Sequence, residues 1–163
     1  RFGGMILFDT RDADLGASMG GATPNGRVLR RIATKLDAPP LEPMPQDHVL
    51  TRTFYLLGDF PGRWTGSDLW VEASPEAEQV EGMPFRNLND GVTPVVIGGN
   101  DWASAWAMRD NGQPMFPIGR GISGERQREL ALRFGVNLIM YVMTGNYKSD
   151  QVHVPALLDR LGQ

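Results

Sequence analysis

A chain of 163 residues and 18.0 kDa, 41% hydrophobic and 21% charged, suits one soluble domain with a sizeable core. A formal charge of −3 and a pI near 5.3 argue against a nucleic-acid module, because phosphate affinity needs clustered Lys and Arg, and Arg30-Arg31 is the only adjacent basic pair. The chain has no cysteine, which removes disulfides, thiolate metal sites and every cysteine-nucleophile mechanism.

The first predicted element is the apolar run Met5 to Phe8 that follows Gly3-Gly4 and ends on Asp9. An unbroken apolar run of strand length reads as a strand buried on both faces, the kind found in parallel sheets covered by helices, so an α/β domain is expected. Leu15 to Thr23 is a Gly-, Ala- and Ser-rich loop. Thr23-Pro24 then starts a helix, with threonine at the N-cap and proline at the first helical position. Val28, Leu29, Ile32 and Leu36 give it an apolar stripe up to about Asp37. Pro39 to Pro45 holds four prolines and reads as an extended surface connector.

Asp47 to Leu50 suggests a short helical turn capped by Asp47, leading into a possible strand over Thr53 to Leu57. A loop, Gly58 to Ser67, precedes the short strand Leu69-Trp70-Val71. Ser74 to Asn89, with Pro75, Glu76, Glu78, Glu81, Gly82 and Pro84, is expected to be a mobile insertion. Thr93 to Ile97 is the second clear buried strand, and Gly98-Gly99-Asn100-Asp101 turns it into a helix over Trp102 to Met108, with Asn100 or Asp101 as N-cap. Asp110-Asn111-Gly112 is a turn signal and a possible hairpin tip. A long helix runs from about Ser123 to Thr144. Its second half is apolar nearly all round, which predicts the most buried helix of the domain. A short tail helix over Val154 to Leu161 completes the reading. The longest apolar stretch, Leu138 to Met143, is far too short to span a bilayer. The abrupt start, with a core strand at the second residue, reads as the beginning of a fragment.

Three groups of residues carry possible chemistry. Asp9, Asp12 and Asp14 follow the first strand, where open α/β sheets place their sites. Such carboxylates can hold a hard cation or split acid and base roles, or Asp9 caps a turn while the others are solvated. Gly98-Gly99-Asn100-Asp101 allows close backbone approach to a ligand or makes a plain tight turn, and it lacks both a dinucleotide fingerprint and a Walker lysine. If the two strands are parallel neighbours, Asp9 and Asn100-Asp101 share one edge. The candidate ligand-binding set is therefore Asp9, Thr10, Asp12, Asn100, Asp101 and Trp102, with Asp9, Asp12 and Asp101 as candidate ligands of a divalent cation. His48 and His153 have no metal-site spacing and read as surface or capping residues. No Gly-x-Ser-x-Gly elbow exists for a serine hydrolase. Trp102 and Trp106, at i and i+4, read as one packed helix face, and Asn137 as a buried amide tying its helix to a neighbouring backbone segment.

Gly3-Gly4-Met5-Ile6-Leu7-Phe8-Asp9, Asp47-His48 with Phe54-Tyr55, Asn100-Asp101 ahead of Ala105-Trp106, and Arg133-Phe134-Gly135-Val136-Asn137 with Thr144 together resemble the bacterial domain of unknown function 4159 family over nearly the whole chain. The resemblance implies a flavodoxin-like three-layer sandwich with a mostly parallel sheet, of the class I glutamine amidotransferase-like type and incomplete at its N-terminus. Residues 1–163 would be the later part of one such domain. It also implies a C-terminal module of a membrane-anchored protein similar to Bat-type aerotolerance proteins. A MoxR-type AAA ATPase, or other parts of the parent, would be the protein partner, with a lean to the cytoplasmic side. Amidotransferases of this class use a cysteine that this chain lacks. The resulting expectation is a non-catalytic binding or scaffolding module with no resident cofactor; the alternative is a divalent-cation-dependent hydrolase using the sheet-edge carboxylates.

Overall fold

In the computed structural model, residues 5–16, 23–35, 40–73, 93–119 and 121–144 are described. The elements in order are β1 (Ile6–Asp9), α1 (Ala13–Gly16), α2 (Pro24–Ala33), β2 (Leu41–Pro43), a 3-10 turn (Val49–Thr51), β3 (Trp70–Glu72), β4 (Val95–Gly98), α3 (Trp102–Trp106) and α4 (Gly121–Thr144). The expected insertion over 74–89 and the tail helix over 154–161 lie outside the described residues.

The four strands form one sheet in the order β1-β4-β3-β2. β1 and β4 are parallel, with Ile6 opposite Val95 and Asp9 opposite Gly98. β3 is antiparallel to β4, and β2 antiparallel to β3. This corrects the expected flavodoxin-like, mostly parallel sandwich of amidotransferase type: one strand pair is parallel and the others are antiparallel. The cause is visible in the central strip. Leu7, Val96 and Val71 are register partners on one face and pack into the core, whereas Ile6 and Trp70 point to the other face and remain 55% and 39% exposed. The unbroken apolar run at β1 thus does not mean burial on both faces. A sheet with antiparallel strands tolerates one wet face.

Two segments of the chain differ from their predicted form. The proline-rich connector contains β2, which carries Pro43 at the outer end of the sheet order, a position where a missing N–H costs no ladder bond. Thr53 to Leu57 forms no strand; it wraps past α4 as an irregular segment. The first part of α2 is as predicted, with the Thr23 hydroxyl accepting from the Gly26 N–H at 3.2 Å and Pro24 in the first turn.

The core joins the inner face of the sheet to α3, α4 and the 3-10 turn. Phe134 is its centre: its ring lies 5.2 Å from that of Trp102, 5.3 Å from Phe60 and 6.3 Å from Trp106. Trp102 and Trp106 do form one packed helix face. The buried positions of α4 are Gly124, Ala131, Phe134, Asn137 and Tyr141, a single stripe. The Tyr141 hydroxyl accepts from the Thr93 N–H, and the Thr93 hydroxyl accepts from Glu72 N–H at 3.0 Å. This ties the far half of α4 to the start of β4 and the end of β3. The other side of that half is exposed, Ile139 at 60% and Met143 at 77%, so the expected all-round burial is not found. No helix among the described residues is long and apolar enough to cross a membrane.

His48, and not Asp47, caps the 3-10 turn. Its Nδ1 accepts from the Leu50 N–H at 3.1 Å, and the ring is buried against Tyr141 at 6.2 Å. Burial holds its pKa below the usual 6.5, with Asp47 and Glu42 pulling weakly the other way. A depressed histidine pKa means that the neutral ring stabilises the fold. That contribution is complete above the unfolded value of 6.5 and is lost as pH falls towards the folded value. Urea midpoints should therefore drop on acidification from pH 7.5 to 5. His48→Asn, whose amide oxygen can cap without titrating, should show a smaller drop than the parent; equal drops in both would rule His48 out as the source.

Candidate functional site

Because β1 and β4 are parallel, their carboxyl ends fall on one edge, and the two turns that leave them meet there. Asp9, the last residue of β1, acts across the sheet. Its Oδ1 accepts from the N–H of Asp101 at 3.1 Å and of Arg11 at 3.2 Å, and its Oδ2 accepts from the N–H of Trp102 at 2.7 Å. The first amides of α3 are therefore satisfied by a carboxylate from another strand. Asp101 itself occupies the N-cap position in left-handed backbone, φ 56°, and makes no side-chain cap bond. Burial pushes the Asp9 pKa above its ordinary 3.8, against the lowering effect of the three N–H donors.

The Asp101 side chain faces the other way and is 2% exposed. Its Oδ1 accepts from Arg11 Nε at 2.7 Å, and its Oδ2 lies 3.8 Å from Arg63 Nη1. Arg11 is also left-handed, φ 62°, and its Nη2 reaches Ser104 Oγ at 3.3 Å. These are the two non-glycine residues of positive φ among the described residues, and they form an ion pair across the two turns. Strained backbone of this kind persists only where its surroundings over-determine it. Arg63 is held between the rings of Trp64, 4.7 Å from its centroid, and Phe116, at 5.4 Å.

Asn100 fixes the loop over residues 59–68. Its Nδ2 donates to Phe60 O at 2.9 Å and Ser67 O at 3.1 Å, its Oδ1 accepts from Ser67 N–H, and its backbone oxygen accepts from Trp64 N–H at 2.9 Å. Trp102 Nε1 donates to the same Phe60 oxygen. Gly62 passes so close that a Cβ there would sit 2.1 Å from Asn100 O, so glycine is required by approach. From α4, Gln127 Nε2 donates to Gly62 O at 2.9 Å and Arg63 O at 3.1 Å. Between this loop and the first turns of α4 lies a cleft of about 370 Å³. Asn100 is at its base, Asp59, Asp68 and Arg126 supply charge of both signs, and Phe60 and Leu130 supply apolar wall.

The structure thus brings together four of the sequence candidates, Asp9, Asn100, Asp101 and Trp102. Thr10 sits beside them, with its N–H donating to Gly98 O at 2.9 Å. Asp12 turns aside to the start of α2, where its Oδ2 accepts from the Asn25 N–H at 2.8 Å. Its buried Oδ1 has no partner among the described residues. Three His, Cys, Asp or Glu side chains grouped to hold a metal ion do not occur among the described residues. His153 lies outside them. Sequence reasoning placed none of Arg11, Arg63, Arg126 and Gln127 in the site, because scattered cations and an amide have no spacing signature.

A family model described only as a domain of unknown function matches residues 1–143. No curated protein matches the chain.

Proposed function

The chain belongs to the DUF4159 family, and we propose that this member is a non-catalytic binding module. It recognises a small polar ligand, or polar side chains of a partner protein, in the cleft at the carboxyl end of β4. One observation carries the reading. The carboxylates that would do chemistry are committed within the fold, Asp9 to three backbone N–H groups and Asp101 to Arg11, while the adjoining cleft presents charged groups of both signs that the fold does not use so. The strained pair Arg11 and Asp101 then acts as support: it holds α3 and the 59–68 loop fixed, so that little ordering is required on binding.

Clefts of this size with convergent polar groups suit a ligand bearing both an ammonium and a carboxylate, one for the Asp59 and Asp68 side and one for Arg126. Amide chemical shifts of the labelled chain, titrated with free amino acids and with short dipeptides, test this. Gly66, Ser67, Asn100 and Gln127 should move, and a double variant Asp68→Ala, Arg126→Ala should weaken the response about tenfold or more, as expected for the loss of charged hydrogen bonds. The hydrolase alternative makes a different prediction in the same experiment. Manganese broadening confined to Asp9, Asp12 and Asp101, with no response to amino acids, would replace the binding reading with a metal site.

A further inference from the structure

Burial within the cleft at the carboxyl end of β4 follows a gradient. Asp59, Asp68 and Arg126 are exposed at its rim, Phe60 and Leu130 are half-buried, and Pro61 and Asn100 are buried. Charge therefore sits at the mouth. Asp59, Asp68 and Arg126 form no ion pair among the described residues, so each is left to a ligand.

Below the rim the cleft is polar in composition, with Asn100, Gln127 and Ser67, yet the donors of all three are already committed. Asn100 Nδ2 donates to Phe60 O and Ser67 O, and Gln127 Nε2 donates to Gly62 O and Arg63 O. The Ser67 N–H donates to Asn100 Oδ1, and the Ser67 hydroxyl to Asp68 O at 3.3 Å. A ligand oxygen carried below the rim would leave water and meet donors that are occupied, which lowers affinity. What remains there is fixed apolar wall. Phe60 and Leu130 both pack against the main core while lining the cleft, and the Phe60 ring stands edge-on to Phe134 at 5.3 Å. The Phe60 carbonyl is held as well, accepting from Asn100 and from Trp102. A wall ordered by the core needs no further ordering when a ligand covers it.

We infer that the cleft selects a free α-amino acid with an apolar side chain. The ammonium meets Asp59 and Asp68 at the rim, the carboxylate meets Arg126, and the side chain goes down against Phe60 and Leu130. This rests on the binding reading above and adds to it the class of side chain.

Amide-shift titrations of the full chain with glycine, alanine, α-aminobutyrate and norvaline test it, because the series adds one methylene at a time. Affinity should rise about fourfold at each step, the increment of a buried methylene. Leucine should bind about tenfold more tightly than asparagine or better, since asparagine has the same branched skeleton and brings an amide oxygen to a wall with no spare donor. Nuclear Overhauser contacts should join the methyl groups of bound leucine to the Phe60 ring and the Leu130 methyls. Leucinamide, which keeps the ammonium and the side chain and lacks the carboxylate, should bind more weakly than leucine. Affinities that stay level along the series, or asparagine bound as tightly as leucine, overturn the inference and leave the binding reading standing. Leucinamide bound as tightly as leucine also overturns it, in favour of the N-terminus of a peptide. No response to any amino acid overturns the inference and the binding reading together.

Discussion

Asn137→Leu should lower the stability of the domain by about 3 kcal/mol, the cost of leaving several polar groups of a buried segment without partners. Asn137 is 0% exposed and satisfies four of them. Its Oδ1 accepts from the N–H groups of Phe54 at 3.2 Å and Tyr55 at 2.8 Å, and its Nδ2 donates to Leu50 O and Tyr55 O, both at 2.9 Å. Leucine keeps the same branched skeleton with bulkier ends, so the variant leaves no cavity, and the loss is chiefly one of hydrogen bonding. The segment from the 3-10 turn to Tyr55 has no strand ladder of its own, and beyond its local turn bonds, such as Arg52 N–H to Val49 O, this amide is what pairs the Phe54 and Tyr55 N–H groups and the Leu50 and Tyr55 carbonyls. In a chain of this size the melting temperature should fall by roughly 6–12 °C. Urea denaturation gives the free energy, and a loss under about 1 kcal/mol would show that water replaces the amide freely.

Asp9→Ala should have an effect of similar size, about 3 kcal/mol, from stranding the Asp101 and Trp102 amides at the start of α3 and loosening the turn at Arg11. Asp9→Asn discriminates. One amide oxygen can still accept from Asp101 and Arg11, but the –NH₂ group then opposes the Trp102 N–H, so roughly half the loss should remain. Because Asp9 is raised in pKa by burial, its contribution is greatest with the group protonated, below pH 3.8, and declines as pH rises through the folded value; the Asn variant lacks that dependence. The two variants, unfolded in urea at several pH values, separate the capping role from the titration. Amide shifts of the cleft residues in Asp9→Asn should stay close to those of the parent, since the N–H groups that Asp9 accepts belong to Arg11, Asp101 and Trp102, none of which lines the cleft.

Elements with a strong local signature were legible in the sequence. Thr23-Pro24 announces α2, Gly98 to Asp101 announces the turn into α3, and the turn at Asp110-Asn111-Gly112 appears as a tight loop, with Arg109 N–H donating to Gln113 O at 2.8 Å. Asn137 was readable because an amide amid apolar helix residues must find partners. The neighbouring turns at the ends of β1 and β4 were readable as a conditional: if the strands are parallel, they meet. What was not legible follows from length and distance. β2 and β3 have three residues each, too few for alternation to declare a face, so nothing local announced their antiparallel pairing. A run such as Met5 to Phe8 carries the same apolar signal whether one side or both are covered. The role of Asp9 as cap for α3 is set by a residue 92 positions away, which no window reaches.

That long-range cap has a consequence for how the domain assembles. α3 has five residues and no side-chain cap of its own, so its first turn cannot be completed until the two parallel strands have docked. Closing that contact brings together points some ninety residues apart, an event that slows folding and places the step late. A change of one atom at Asp9 is therefore felt in a helix whose first residue lies 93 positions further along the chain.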